Sequence, residues 1–123
     1  MAIKMNEMDD VFEAVAVYFS VMSEPTRLKI MHAICQEERS VNQIAGELNA
    51  TQTNISRHLG FMYRCGVLAR RKEGNQVFYR IADAGMLEIC RAVCVQIAGQ
   101  IGDQRPLRKG LLKLMPGQRK LAA

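Results

Sequence analysis

Apolar residues recur at helical spacing along most of the chain and at strand spacing in one short region. Over residues 9–22, Val11, Val15, Tyr18 and Met22 form a stripe that Phe12, Ala16 and Phe19 widen. Asp9, Asp10 and Glu13 fall in its first turn, where carboxylates face the positive end of the helix dipole. So broad an apolar face predicts packing on both a core and a partner. Ser23-Glu24-Pro25 interrupts the pattern, and Pro25 suits the first turn of a second helix over residues 25–36. Its buried side is Leu28, Ile30, Met31, Ile34 and Cys35.

Ser40 followed by Gln43 is a capping-box pattern ahead of Val41, Ile44, Ala45 and Leu48, which predicts a short third helix ending at Leu48. Asn49-Ala50 makes a tight connection to the stretch TQTNISRHLGFMYRCG, residues 51–66. That stretch opens on small polar residues suited to a helix N-terminus, and Ile55, Leu59 and Met62, with Phe61 beside them, give it one apolar face. Two short helices joined so closely form a helix-turn-helix. After Gly66 the period becomes extended: VLARRK and QVFYRI flank Glu73-Gly74-Asn75, as in a hairpin. Val77, Tyr79 and Ile81 alternate there with Gln76, Phe78 and Arg80.

Residues 83–102 return to helical spacing with Met86, Ile89, Cys90, Val93, Cys94, Ile97 and Ile101. Few charges interrupt them, which predicts burial on two sides, at a dimer interface shared with the first helix. The expected architecture is mainly α with a small β-hairpin wing, in the order α-α-α-α-β-β-α, over residues 1–102. Residues 103–123 form a basic tail broken by Pro106, Gly110, Pro116 and Gly117, in which LRKGLLKLM suggests a short extra helix.

Composition narrows the class. The 123 residues fit one domain, and 49% apolar with 24% charged content is ordinary for a soluble globular protein. No apolar run approaches the roughly 20 residues of a bilayer span. The acids near the N-terminus interrupt the apolar region that an export signal needs, so a cytoplasmic protein without membrane contact is expected. The net charge of +5 is uneven: one lysine faces five acids in residues 1–24, while nine Lys and Arg face four acids in residues 25–82. A basic centre suits a polyanion.

The outer face of the fourth helix carries Gln52, Thr53, Asn54, Ser56, Arg57 and His58, types that reach base edges or phosphate oxygens in a major groove. Arg70, Arg71, Lys72 and Arg80 flank the hairpin tip. Taken alone, the helix reads equally well as an ordinary solvated amphipathic one. A capped helix before it and a basic hairpin after it make the winged form of the motif, and point to double-stranded DNA.

Residues 18–82 resemble the ArsR/SmtB family of winged-helix repressors. The resemblance is carried by SEPTRLKIMHAI (23–34) and SVNQIAGELNATQTNISRHLGFMYRCGVLARRKEGNQVFYRI (40–81). It implies a homodimer through the first and last helices that binds an imperfect inverted repeat, needs no cofactor for DNA binding, and is released by an inducer. Cysteines of a third-helix metal site are missing, since Gln43-Ile44-Ala45-Gly46 stands there. The Asp-x-His of a last-helix metal site is missing too: Ala84-Gly85 follows Asp83, and no histidine follows His58.

Four cysteines remain: Cys35, Cys65, Cys90 and Cys94. A reducing cytoplasm disfavours a structural disulfide framework. Cys90 and Cys94 stand at i,i+4, which places their Cβ atoms about 5–6 Å apart on one helix face. That pair suits a soft trivalent metalloid, As(III) or Sb(III), with a third thiolate from Cys35 or a partner subunit. Some members of the family instead sense sulfide or oxidants, which implies a Cys35 to Cys90 or Cys94 disulfide or polysulfide switch. His32, one turn before Cys35, is a possible ligand or thiol activator in either case. The alternative is that the thiols are small buried apolar residues, the expected role of Cys65. A winged-helix protein-interaction module is the competing function class. An enzyme is not expected, because nothing beside His32 and Cys35 suggests an oxyanion site.

Overall fold

Ile30, Ile34, Ile44, Ile55, Leu59, Met62, Val67 and Met86 are almost wholly removed from solvent and form one core. The computed structural model describes residues 5–101 and residues 109, 110 and 113. The elements are α1 (Met5–Ser20), α2 (Pro25–Ile34), β1 (Arg39–Ser40), α3 (Val41–Leu48), α4 (Gln52–Arg64), β2 (Leu68–Glu73), β3 (Gln76–Ile81) and α5 (Ala84–Ile101). The winged helix-turn-helix is present in the expected order. The suggested tail helix lies mostly outside the described residues.

One strand was not foreseen. β1 pairs antiparallel with β3, Arg39 opposite Tyr79 and Ser40 opposite Phe78, so the wing is a three-stranded sheet in the order β1-β3-β2. Two residues are too few to show alternation in a sequence. The hairpin connection is also tighter than expected, because Glu73 and Gln76 pair within the strands and leave Gly74-Asn75 as the turn. Gly74 takes a φ of 61°, which a residue without Cβ adopts without strain.

α4 ends in a Schellman arrangement. The N–H of Gly66, at φ 81°, donates to the Tyr63 carbonyl (3.0 Å), and that of Val67 to the Met62 carbonyl (3.1 Å). This turn drops the chain into β2 with Val67 and Leu68 already in the core.

α1 and α5 contribute less to this core. α5 buries Met86, Cys90 and Ala98, whereas Val93, Val95 and Ile97 stay exposed. On α1, Val11, Phe12, Val15, Val17 and Phe19 are exposed, Phe12 by 57%. Two-sided burial of α5 is thus absent within one chain: the second side is an open apolar face. Tyr18 ties the two helices together, its hydroxyl donating to Asp83 Oδ2 at 2.7 Å. Burial first, then this bond, pushes the Tyr18 hydroxyl up to about 12. By length and composition alone α5 is apolar enough to cross a bilayer, contrary to the reading of the sequence. Its Glu88–Arg91 pair at 3.6 Å and its buried Met86 and Cys90 suit a helix packed on the winged domain.

Candidate nucleic-acid interface and thiol cavity

The capping box predicted at Ser40 is formed. Ser40 Oγ accepts from the Gln43 N–H (3.1 Å), and Gln43 Oε1 accepts from the Ser40 N–H (2.8 Å). Asn49 closes α3 in the left-handed region, φ 53° and ψ 48°, with its N–H turned back to the Ala45 and Gly46 carbonyls. Asn tolerates that conformation better than most side chains. The turn delivers Thr51 as N-cap of α4, its Oγ1 accepting from the Asn54 N–H at 3.1 Å. The entry angle of α4 is therefore set by two caps and one left-handed residue.

Ile55, Leu59 and Met62 anchor α4 in the core, each fully buried. Gln52, Thr53, Ser56 and Arg57 are exposed on the opposite side, and Asn54 is half-exposed. Arg57 donates through Nη2 to Asn54 Oδ1 at 2.7 Å, which steadies two long polar groups on one surface. No acid lies on α4.

His58 departs from the expected groove-facing position. Its side chain is 12% exposed, with Nε2 3.8 Å from Glu24 Oε2. Nδ1 lies 3.3 Å from Nη1 of Arg27. The reason is positional: 55, 58, 59 and 62 are successive members of one helical stripe, so His58 occupies a core-side slot.

Arg27, which the sequence marked only as part of a motif, is the joint at this point. Its Nε donates to the Val21 carbonyl (3.0 Å) and Nη2 to the Ser20 carbonyl (2.8 Å) at the end of α1. Its guanidinium also lies 4.8 Å from the centroid of the Phe61 ring on α4. One side chain on α2 thus holds both the end of α1 and the inner face of α4.

The wing cations divide. Arg71 is engaged: Nε donates to both oxygens of Glu38 (2.9 and 3.0 Å), and Nη1 to Glu73 Oε2 (2.6 Å). The Arg71 hydrogen bond, with the charges of Arg71 and Arg80, holds the Glu38 carboxyl below its usual range despite partial desolvation. Arg70 stacks on the Tyr63 ring at 3.9 Å. Lys72 and Arg80 are exposed. The basic hairpin is real, but Arg71 is largely neutralised within the protein.

Cys90 and Cys94 line one cavity of about 340 Å³ where the end of α1, α2 and α5 meet. His32 lines it too, with a buried Nδ1 that has no hydrogen-bond partner. Burial, then the Cys94 charge, pushes the Cys90 thiol up to about 11, and burial raises Cys94 as well. Cys35 is not in the cavity wall, and its Sγ donates to the His32 carbonyl at 3.2 Å. Among the described residues no group of three His, Cys, Asp or Glu side chains is placed to hold a metal ion. The third thiolate expected from Cys35 is therefore not brought to the pair within one chain. All four cysteines are unbridged, and Cys65 caps the end of α4.

A capped helix-turn-helix with an acid-free outer helix face and a basic hairpin beside it defines a winged-helix DNA-binding domain. Residues 24–70 match the family model for bacterial regulatory proteins of the arsR family. A probable mercury resistance operon repressor of Streptomyces lividans is 30% identical over 106 residues, covering 76% of this chain and 84% of that protein. The chain belongs to the ArsR/SmtB family.

Solved structures agree. The homodimeric winged helix-turn-helix DNA-binding domain Mb0332 from Mycobacterium bovis superposes with a TM-score of 0.73 at 25% identity, covering 85% of this chain and 97% of that one. The AntR antimony-specific transcriptional repressor superposes with a TM-score of 0.61 at 26% identity, covering 70% and 80%.

Proposed function

We propose that this protein is a cytoplasmic, homodimeric transcriptional repressor, released from its operator by a trivalent metalloid taken up by Cys90 and Cys94. The observation that carries the DNA-binding part is the exposed face of α4, where Gln52, Thr53, Ser56 and Arg57 stand clear of the core with Asn54 beside them. These residues contact base edges and phosphates in the major groove, and Lys72, Arg80 and Arg70 contact the backbone beside it. The open apolar faces of α1 and α5 pack against a second copy, setting two α4 helices about one helical turn of DNA apart on an imperfect inverted repeat. The homodimeric state of the Mycobacterium bovis domain supports this arrangement.

Placement of the thiols supports the inducer. Two protonated thiols, Cys90 buried and Cys94 half-buried, condense with a neutral metalloid hydroxide: two S–H and two metalloid–O bonds break, two metalloid–S bonds form, and two waters leave. No oxidant is consumed and no thiolate need persist in the apolar surroundings. A divalent cation or an oxidant favours the thiolate, which burial opposes here. A relative whose name records antimony specificity agrees with this chemistry. A Cys35 disulfide with Cys90 or Cys94 draws less support, because Cys35 lies outside the shared cavity wall.

Reduced, ligand-free protein titrated with duplex from its own promoter region tests the reading. Saturable binding with a steep inverse salt dependence is expected, together with release on adding arsenite or antimonite. Absence of saturable binding at low salt would favour a protein-interaction module and overturn the proposal.

A further inference from the structure

Half-buried Arg27 reaches two elements at two points each. On the α1 side its Nη2 donates to the Ser20 carbonyl at 2.8 Å and its Nε to the Val21 carbonyl at 3.0 Å. On the α4 side its Nη1 lies 3.3 Å from His58 Nδ1, and its guanidinium carbon lies 4.8 Å from the Phe61 ring centroid. His58 and Phe61 stand at i,i+3, neighbours on one face of α4. A single contact makes a pivot, whereas two contacts on each side fix an angle as well as a distance.

Both ends of this bridge are themselves held. The turn after α1 bonds the Tyr18 carbonyl to the Val21 N–H (3.3 Å) and the Phe19 carbonyl to the Met22 N–H (3.0 Å), which leaves the next two carbonyls directed at Arg27. The Ser23 hydroxyl also donates to the Ser20 carbonyl at 2.7 Å, and the Val21 side chain is fully buried. On the other side, Glu24 Oε2 accepts from the Arg27 N–H at 3.1 Å and lies 3.8 Å from His58 Nε2, so the histidine ring is flanked at both nitrogens. Phe61 packs against the core. A lysine could not replace this arrangement, because a compact ammonium cannot reach two carbonyls, a ring nitrogen and a ring face at once.

When α1 packs on a second copy, the placement of each α4 relative to the dimer axis passes through this joint. We propose that Arg27 is a positioning residue for operator recognition: by fixing α4 to the end of α1 it sets the separation of the two recognition helices, and so the half-site spacing that the dimer accepts. The proposal rests on the homodimeric repressor reading above. The lever is long enough. Gln52 begins α4 six residues before His58, about 9 Å along the helix axis. A tilt of about 10° at the joint therefore moves each N-terminus by about 1.6 Å. Two symmetric tilts along the DNA change the separation by about 3 Å, close to the rise of about 3.4 Å per base pair.

The test uses the reduced, full-length protein and the inverted repeat that footprinting locates in its own promoter region. Fluorescence anisotropy compares that duplex with versions whose half-sites are moved one base pair closer or farther apart. Wild type is expected to favour the native spacing at least about tenfold, since a shifted half-site is read out of register. Arg27→Lys, which keeps the charge, should bring all three affinities within about threefold of one another. Urea denaturation of the same samples separates a structural role, which would lower the unfolding midpoint and weaken every duplex alike while preserving the preference. If Arg27→Lys fails to fold, Phe61→Leu decides, and should narrow the preference in the same direction. A variant that keeps the wild-type preference, or wild type that binds every spacing equally, overturns the inference and leaves the repressor reading standing. Absence of saturable binding by wild type to any of the duplexes overturns both.

Discussion

The Nδ1 of His58 lies 3.3 Å from a guanidinium nitrogen of Arg27, so the histidine in the recognition helix is turned toward α2. A guanidinium only donates, which makes Nδ1 the acceptor and puts the proton of a neutral ring on Nε2, on the side of Glu24. His58 therefore seats α4, whereas Arg57, one residue earlier and exposed, faces solvent. Arg57→Ala should cost about 1–3 kcal/mol of operator affinity and relax base preference at one position of each half-site. His58→Ala should lower the unfolding midpoint yet leave relative affinities across a panel of single-base operator variants unchanged. Fluorescence anisotropy with that panel decides. Equal relaxation by the two substitutions would show His58 reaching a base.

Arg71 and Lys72 are adjacent in sequence but differ in charge environment. Arg71 is bound by Glu38 and Glu73, while Lys72 is exposed and has no carboxylate ion pair among the described residues. Lys72→Ala and Arg80→Ala should each reduce the slope of log affinity against log salt by about 1. Arg71→Ala should reduce it by clearly less, since that charge is already compensated. An Arg71→Ala slope change as large as that of Lys72→Ala would mean that Glu38 lets go on binding.

These two contrasts show where the sequence is legible. The helix period, the Ser40/Gln43 pair and the Gly-containing hairpin depend on neighbours within a few residues, and each formed, the hairpin with a turn one residue tighter than expected. His58 was within reach as well, because its place in the 55-58-59-62 stripe follows from spacing. Its polar type pointed the other way, and spacing prevailed. Arg71 was not within reach: its partner Glu38 is 33 residues away, brought near only when β1 pairs with β3. Neither was the cavity, which exists only where three separate elements meet. The i,i+4 rule could place Cys90 beside Cys94 but could not show that Cys35 would stay outside.

Ser40 is 2% exposed and is both the last residue of β1 and the N-cap of α3. Removing its hydroxyl strands the Gln43 N–H, while the Gln43 side chain keeps its bond from the Ser40 N–H. Ser40→Ala should destabilise the fold by about 1 kcal/mol, within the roughly 0.5–2 kcal/mol span of N-cap deletions, and Ser40→Thr should recover most of it. Urea denaturation followed by circular dichroism reads the difference. An unchanged midpoint in Ser40→Ala would show that the cap contributes nothing.

Burial raises the Cys90 thiol from about 9 to about 11, and this sets a pH dependence. The raised group keeps its proton in the folded state at a pH where the unfolded chain has lost it. Its contribution to stability is thus fully present below about pH 9 and is lost as pH rises toward 11. Thiolate absorbance near 240 nm, compared between wild type and Cys90→Ser, should show a titration step displaced well above that of an exposed cysteine. A step near the ordinary thiol value would mean that Cys90 is open to water.

The thiol pair should matter for release and not for DNA binding, because Cys90 and Cys94 lie on α5 at the cavity wall, whereas the proposed recognition surface is on α4. Serine is close to isosteric with cysteine, so Cys90→Ser/Cys94→Ser should keep operator affinity within about threefold. At Cys90 the substitution buries a hydroxyl, and a modest fall in unfolding midpoint is expected there. Arsenite or antimonite should release wild type from its operator and leave the double variant bound. Intact mass spectrometry separates the alternatives on the same samples: a metalloid adduct adds the metalloid, a disulfide removes two hydrogens, and a persulfide bridge adds sulfur. If the double variant is released as readily as wild type, the pair is structural and the inducer acts elsewhere.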